Sequence, residues 1–278
     1  MNTRRVLVVT GSRAEFGLLR STMDALGSDP RLERLLAVSG MHLIGKDPTI
    51  REIESQYPVD VVVEMQHDRE IRTRKSDGLA LARGVEGLTN AISSLEPDVV
   101  LILGDRIEVF AAASAAALLG VRIAHVHGGD VAPGVADDSM RHAITKLSHL
   151  HFAATRASAD RILAMGERPN AVFEVGSPAI DGLDSIEPLD DVEWASLGSP
   201  EILVQMHPIG ESDGIEKARV GDLLGSLSGG RRVVVVGPNN DPGSDGIREA
   251  IRDSGLPSIE HLPRRTFIGL LKRVEVLI

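Results

Sequence analysis

Short apolar runs rich in β-branched residues alternate with amphipathic segments along this chain, and that alternation limits the folds it can adopt. Runs such as RRVLVVT (4–10) and DVVLILGD (98–105) have the length and composition of buried strands. The segments between them repeat apolar residues every three or four positions, as amphipathic helices do. Strands that alternate with helices form a parallel sheet with right-handed crossovers. The sequence therefore predicts an α/β fold.

The strand–helix pattern breaks once and then restarts. An acidic stretch that carries Pro188 and Pro200 separates two α/β regions and is typical of a linker with one short helix. We expect a first domain at residues 1–182, a linker at 183–199 and a second domain at 200–278. The final residues, 276–278, lie inside a predicted buried strand, so we expect either a shortened chain or another element that covers this strand.

The composition excludes several classes of function. A net charge of −10 over 278 residues argues against nucleic-acid binding, because phosphate backbones need a basic face. The absence of cysteine excludes disulfides and thiolate metal sites. We find no run of membrane-spanning length and no convincing signal peptide, so we expect a cytoplasmic protein without a membrane partner.

Polar side chains follow the predicted strands of the first domain, at the edge where parallel sheets bind ligands. Arg13 begins a helix after the first strand, where it would either help to bind an anion or simply be exposed. His42 follows the second strand, where a structural role is common. Asp105 and Arg106 follow the run DVVLIL, and Asp105 is either the N-cap of the next helix or a functional carboxylate.

The stretch VHGGDVAPGVADDSMRHAITKLSH (126–149) concentrates groups that move protons or hold anions. A capped, solvated helix would explain its Asp137–Arg141 and Asp138–His142 spacings. That reading does not explain the glycine-rich loop just upstream, whose backbone can approach a ligand closely. Strand alternation also predicts that His125 and His127 share a face, which leaves a metal-dependent hydrolase open as an alternative.

In the second domain, His207 and Asn239 follow predicted strands in the stretches QMHP and GPNND. The sequence has no G-x-S-x-G elbow and no cysteine, which argues against serine or thiol nucleophiles. The sequence therefore favours acid/base chemistry on a ligand that has an anionic end.

The stretch from LGDRIEVF to SHLHF (103–152) closely resembles the hydrolysing UDP-N-acetylglucosamine 2-epimerases, through the motifs GDR, HxxGG[DE] and DDSxRHAITKLSH. SRAEFGLL, GSPAID, QMHP and GPNNDPGS follow in the family's order. The resemblance implies two Rossmann-like domains of the GT-B type, acid/base residues in the first and nucleotide binding in the second. It also implies that the second domain is incomplete, because the family continues with a nucleotide-binding GNSS loop.

The implied reaction converts UDP-N-acetylglucosamine, or a related UDP or GDP 2-acetamido sugar, into the free 2-epimer and the nucleoside diphosphate. A base removes the C2 proton while the diphosphate leaves C1, and water then adds to the 2-acetamidoglucal. N-acetylmannosamine or its relative would enter sialic-type acid biosynthesis. The family uses no metal or other cofactor and forms homodimers. A non-hydrolysing 2-epimerase and a shortened chain of weak or no activity remain open alternatives.

The family's roles carry over residue by residue. Catalytic roles are implied for Asp105, Asp130, Asp137, His127 and His207. Contacts with the substrate or nucleotide are implied for Arg13, His42, Arg106, Arg141, His142, Asp181 and Asn239. His127 stands where many members have a catalytic glutamate, so we expect Asp130 to supply the missing carboxylate. Arg141 and His142 are expected to position the aspartates.

Overall fold

The computed structural model describes residues 3–45, 48–68, 70, 73–131, 136–227, 229–239 and 243–278, without the side chains of residues 136 and 137. The strands are β1 (Arg4–Thr10), β2 (Leu32–Ser39), β3 (Val61–Val63), β4 (Val99–Leu103), β5 (Arg122–Val126), β6 (Leu150–Ala153), β7 (Val172–Glu174), β8 (Ile202–Gln205), β9 (Val233–Val236), β10 (Ser258–Ile259) and β11 (Val276–Leu277). The α-helices are α1 (Arg13–Ser28), α2 (Ile50–Glu54), α3 (Arg74–Leu95), α4 (Ile107–Leu118), α5 (Ala136–Leu147), α6 (Arg156–Ala164), α7 (Asp191–Ser196), α8 (Asp213–Ser226), α9 (Ser244–Ser254) and α10 (Arg264–Leu271). Two compact units result, Met1–Asp181 and Gly182–Ile278.

The described part of the first unit holds a seven-stranded parallel sheet in the order β3-β2-β1-β4-β5-β6-β7. The strand order reverses between β1 and β4, because the chain crosses back over the sheet after β3. Such a reversal opens a crevice at the carboxyl ends of the two strands, where α/β proteins bind ligands.

Helices cover both faces of this sheet, and the side chains of β1 show why. Leu7 and Val9 pack with α3 and α4, whereas Val6 and Val8 pack on the opposite face with α1 and α2. Because successive strand residues point to opposite faces, a strand covered on both sides is apolar throughout. The continuous apolar run of β1 thus follows from its position in the sheet.

The alanine-rich helix α4 packs inside the first unit. Its alanines at 111–113, 115 and 116 are fully buried in the cluster that α3 also joins. Gly84 of α3 lies so near that a Cβ built there would fall 3.0 Å from the Cβ of Ala111. The small residues therefore allow two helices of one chain to approach closely, and homodimer formation stays a prediction.

The second unit, over its described residues, has a four-stranded parallel sheet in the order β10-β9-β8-β11. The segment at 183–199 contributes to the core of this unit, because Leu189 is buried against Leu270 and Trp194 packs on the same cluster. Among the described residues, no helix has the length and apolar character that crossing a membrane requires.

Edge strands of the described sheets differ from the burial that apolar runs predict. The side chains of β7 are half-buried or exposed, and Phe173 keeps 43% of its surface accessible. Leu277 of β11 is 53% exposed. Both strands pair on one side only, and an apolar sequence does not reveal how many neighbours a strand will have.

Candidate active site

A cavity of about 240 Å³ opens at the carboxyl ends of β1, β4 and β5. These strands are neighbours in the sheet, so the loops that follow them meet at the reversal of strand order. The lining residues are Ser12, Ala14, Glu15, Leu18, Leu103, Gly104, Asp105, Arg106, His127, Asp130 and Arg141. Five of the twelve residues expected to form the site therefore share this cavity: Asp105, Arg106, His127, Asp130 and Arg141.

Asp105 is held in the cavity by an ion pair with Arg141. The Nη2 of Arg141 donates to Oδ2 of Asp105, and both side chains are largely buried, with 13% and 17% of their surfaces exposed. Burial lowers the pKa of the Arg141 guanidinium below its ordinary value. The N-cap residue of α4 is Arg106, so the N-cap interpretation of Asp105 is wrong.

Arg141 pairs with the side chain of Asp105, whereas His142 contacts the main chain of Asp138. Arg141 reaches across from α5 to the loop after β4, because the helix packs beside that loop. The Nδ1–H of His142 donates to the main-chain carbonyl oxygen of Asp138 at 2.7 Å. The side chain of Asp137 lies outside the described residues, as do residues 132–135 of the glycine-rich loop.

His127 and Asp130 form a second hydrogen-bonded pair in the same cavity. The Nδ1 of His127 lies 2.9 Å from Oδ2 of Asp130, and its Nε2 lies 2.9 Å from Oγ of Ser177. Ser158 donates its hydroxyl hydrogen to Oδ1 of Asp130 at 2.5 Å. A carboxylate that accepts from Nδ1–H fixes the ring tautomer and leaves Nε2 as the basic nitrogen. Sequence reasoning missed Ser158 and Ser177, because they come from α6 and the loop after β7.

The backbone around the His127–Asp130 pair has positive φ angles. His127 has φ of 64°, a left-handed conformation that costs a side-chain-bearing residue about 1–3 kcal/mol. Gly129 has φ of 77°, and a Cβ there would fall 2.3 Å from the carbonyl oxygen of Ser158. Glycine is therefore required where the loop presses against α6.

The strand alternation that would place His125 and His127 on one face does not extend to His127. β5 ends at Val126, and the left-handed turn at His127 redirects its ring. The Nε2–H of buried His125 donates to the carbonyl oxygen of Gly104 at 2.8 Å, and burial lowers its pKa to about 4. Among the described residues, no three His, Cys, Asp or Glu side chains group as a metal ion would need.

Buried carboxyl groups lie beside Arg106, and sequence reasoning missed them. The Nε of Arg106 lies 3.4 Å from Oε2 of Glu108 and 3.9 Å from Oε1 of Glu15. Burial first, and then the charge of Glu108, raise the pKa of Glu15 to about 8. The available signal was the presence of two glutamates within the short stretches SRAE and GDRIE.

Arg13, His42 and Asp181 lie outside the lining of the cavity. Arg13 is exposed at the start of α1. The His42 ring is buried between the hydroxyls of Thr10 and Thr49, at 2.9 Å and 2.7 Å. Burial, aided by the charge of Arg13, lowers the pKa of His42 to about 4. Asp181 accepts a hydrogen bond of 2.7 Å from Ser21 of α1.

His207 and Asn239 meet in the second unit. They follow the adjacent strands β8 and β9, and the main-chain N–H of Asn239 donates to Nδ1 of His207 at 3.0 Å. The His207 ring is exposed. The structure thus brings these two residues together, within the unit where the sequence placed them.

Known proteins are similar to this chain along most of its length. The family model for UDP-N-acetylglucosamine 2-epimerase matches residues 24–278. A Legionella pneumophila protein named UDP-N,N'-diacetylbacillosamine 2-epimerase (hydrolyzing) is 33% identical over 289 residues, which cover 99% of this chain and 75% of that protein. A Campylobacter jejuni protein named GDP/UDP-N,N'-diacetylbacillosamine 2-epimerase (hydrolyzing) is 33% identical over 217 residues, covering 75% of this chain and 56% of the relative.

A solved structure confirms the predicted fold class. The UDP-GlcNAc 2-epimerase from Neisseria meningitidis, bound to UDP-GlcNAc, superposes with a TM-score of 0.83 at 17% identity. The match covers 98% of this chain and 76% of that one. The chain is therefore an α/β protein with two Rossmann-like units of the GT-B type, the second smaller than the first.

Proposed function

The chain belongs to the UDP-N-acetylglucosamine 2-epimerase family, and on this premise we propose that it is a hydrolysing nucleotide-sugar 2-epimerase. The observation that carries the proposal is the cavity of the first unit, where two separately held acid/base groups line one space. One group is Asp105 with Arg141, and the other is His127 with Asp130. The hydrolysing relatives from two organisms support the hydrolytic outcome.

The reaction needs two proton transfers at one carbon. A base removes the proton from C2 while the C1–O bond to the nucleoside diphosphate breaks, which gives a 2-acetamidoglucal. Water then adds its oxygen to C1, and an acid returns a proton to C2 on the opposite face. Because the two transfers occur on opposite faces, two acid/base groups with separate supports suit this chemistry.

We assign the two groups to the two faces. Asp105, which Arg141 holds in position, removes the proton from C2. His127 returns a proton to C2 from its Nε2. Asp130 fixes the tautomer of His127 by accepting a hydrogen bond from its Nδ1–H. The hydroxyl of Ser177 contacts Nε2, and the bound sugar would replace that contact. Asp137 remains a third candidate from the family resemblance.

The departing diphosphate needs cationic stabilisation, because charge accumulates on its oxygens as the C1–O bond breaks. In the first unit, Arg106 lines the cavity and Arg13 begins α1, where free main-chain N–H groups favour an anion. In the second unit we assign nucleotide contacts to His207 and Asn239. Neither role requires a metal ion.

The 2-acetamido sugar is proposed to be a UDP derivative. The Legionella protein is similar in sequence over 99% of this chain, and its name specifies a diacetamido sugar. This similarity favours UDP-N,N'-diacetylbacillosamine as the substrate. UDP-N-acetylglucosamine is the second candidate, and a GDP sugar the third, after the name of the Campylobacter relative. The free product would serve sialic-type acid biosynthesis, and the active form is proposed to be a homodimer.

Proton NMR in deuterated water tests the reaction. The purified chain is incubated with each nucleotide sugar in turn, and we expect free 2-epimer with deuterium at C2 together with the nucleoside diphosphate. Interconversion of nucleotide sugars without free sugar would identify the non-hydrolysing reaction instead. No exchange at C2 with any of the three donors would contradict the proposal, and light scattering that gives a monomer mass would contradict the homodimer.

A further inference from the structure

Glu108 inserts a fully buried carboxyl group between the ends of β1 and β2. Its side chain is 1% exposed, and Gln66 donates to its Oε1 at 2.8 Å. Two glycines make room for it, because a Cβ at Gly11 or Gly40 would fall 2.4 Å or 2.5 Å from carbons of Glu108. An acidic side chain at a closely packed site is costly unless its charge is balanced.

Glu15 brings a second buried carboxyl group to the same place. Its side chain is 6% exposed, and its Oε2 accepts from the main-chain N–H of Gly11 at 2.7 Å. Oε1 of Glu15 and Oε2 of Glu108 are buried, and neither has a hydrogen-bond partner among the described residues. Those same two oxygens are the ones that approach Nε of Arg106.

The charges around the pair decide how many protons it holds. Among the described residues, Arg106 is the cation within 4 Å of both carboxyl groups, so two carboxylates beside it would leave one negative charge buried without balance. Two other ionisable groups at this edge have their own partners. Asp105 pairs with Arg141, and the ring of His42 bonds two threonine hydroxyls. One proton on the pair restores the balance, as in carboxyl dyads that cannot both ionise.

We propose that Glu15 and Glu108 share one proton, and that this proton limits the negative charge behind Arg106 so that Arg106 can bind an anionic ligand. Glu15 lines the cavity with Arg106, and Glu108 approaches the same nitrogen of Arg106, so both act as positioning residues for Arg106. Loss of the proton would add a second negative charge behind the cation. The identity of the anion, a nucleoside diphosphate, rests on the proposed function, whereas the shared proton does not.

Ligand binding tests the role of the proton. We expect the affinity for UDP to fall between pH 7 and 9, by at most about tenfold per pH unit for one proton. This range lies above the phosphate pKa near 6, so the diphosphate group keeps its charge. Glu15→Gln is permanently neutral, and its affinity at pH 9 should stay close to its affinity at pH 7. The control is Glu33→Gln, because Glu33 is half-exposed near the amino-terminal end of β2, far from the carboxyl ends of the strands. Its affinity for UDP should depend on pH as in the wild type.

Infrared spectroscopy tests the proton without a ligand. At pH 7 the wild type and Glu33→Gln should show the band of a protonated carboxyl group, and Glu15→Gln should lack it. Absence of the band from the wild type overturns the proposal, as does an equal pH dependence in wild type and Glu15→Gln. Binding of UDP without this pH dependence would leave the epimerase proposal intact. If the chain binds no UDP, the role of Arg106 and the assigned ligand are overturned. The infrared band would still show whether Glu15 and Glu108 share a proton.

Discussion

Asp105 shows what one residue and its partner contribute to the site. Its position directly after a buried strand was readable from the sequence, because the run DVVLILGD ends there. Its partner was not, since Arg141 is separated from it by 36 residues and belongs to a helix whose own aspartates offered nearer partners. The carboxylate is consequently fixed by tertiary packing.

Asp105→Asn should lower kcat about a thousandfold if this carboxylate transfers the C2 proton, since positioned acid/base groups contribute about 10² to 10⁴. The release of nucleoside diphosphate measures the rate. Asp222→Asn makes the same change at an exposed position of the second unit and should leave the rate unchanged. Thermal unfolding confirms that both variants are folded at the assay temperature, and a folded Asp105→Asn with wild-type kcat would contradict the assignment.

Ser158 is expected to position Asp130 rather than to react. Ser158→Ala removes the 2.5 Å hydrogen bond to a carboxylate, and the loss should lower kcat about tenfold with little change in KM. Ser148→Ala is a matched control, because that buried hydroxyl donates only to the main-chain oxygen of Ile144. Equal losses in the two variants would indicate a general packing effect.

Elements bring these side chains together through close backbone approaches. The loop after β5 touches α6 at Gly129, and β5 ends in a turn where His127 is left-handed. Alternation along the strand could not predict the direction of His127, because a period of two applies only while the chain stays extended. The strand and the helix were readable from their patterns, whereas the turn that joins them was set by contacts with α6.

Gly129→Ala should lower both stability and activity, because it adds a clash with the Ser158 carbonyl to the strain of a positive φ. Gly120 also has a positive φ, 70°, but nothing lies within 4 Å of a Cβ built there. Gly120→Ala should therefore cost about 1 kcal/mol of strain alone and keep full kcat/KM. Urea denaturation and kcat/KM separate the two variants, and equal behaviour would show that the approach to α6 does not matter.

At the scale of the whole molecule, buried histidines link stability to pH, because burial lowers the pKa of His42, His125 and His151. Burial lowers the pKa of both His42 and His125 from 6.5 to about 4. The unfolded chain binds protons at both sites below pH 6.5, while the folded chain does not until about pH 4. The neutral rings therefore stabilise the fold above pH 6.5, and that stability is lost as the pH falls from 6.5 towards 4.

Urea unfolding at pH 7, 6 and 5 should show this loss, with at most about 1.4 kcal/mol per pH unit for each histidine. His42→Asn removes one titrating group and should flatten the dependence, although it lowers stability at pH 7. His67→Asn changes an exposed histidine and should leave the dependence as it is in the wild type. A wild-type free energy of unfolding that is constant from pH 7 to 5 would contradict the buried neutral rings.

The sequence by itself determined the parallel α/β architecture, the two regions of the chain and the edge of the sheet where the polar residues gather. These follow from local periodicity and from the fixed direction of parallel strands. Only the tertiary structure decided which charges pair, which histidine turns towards the cavity and which glutamates are buried beside Arg106. Those outcomes depend on contacts between residues far apart in the chain, such as Glu108 with Gly11 and Gly40, and a linear pattern carries no information about such distances.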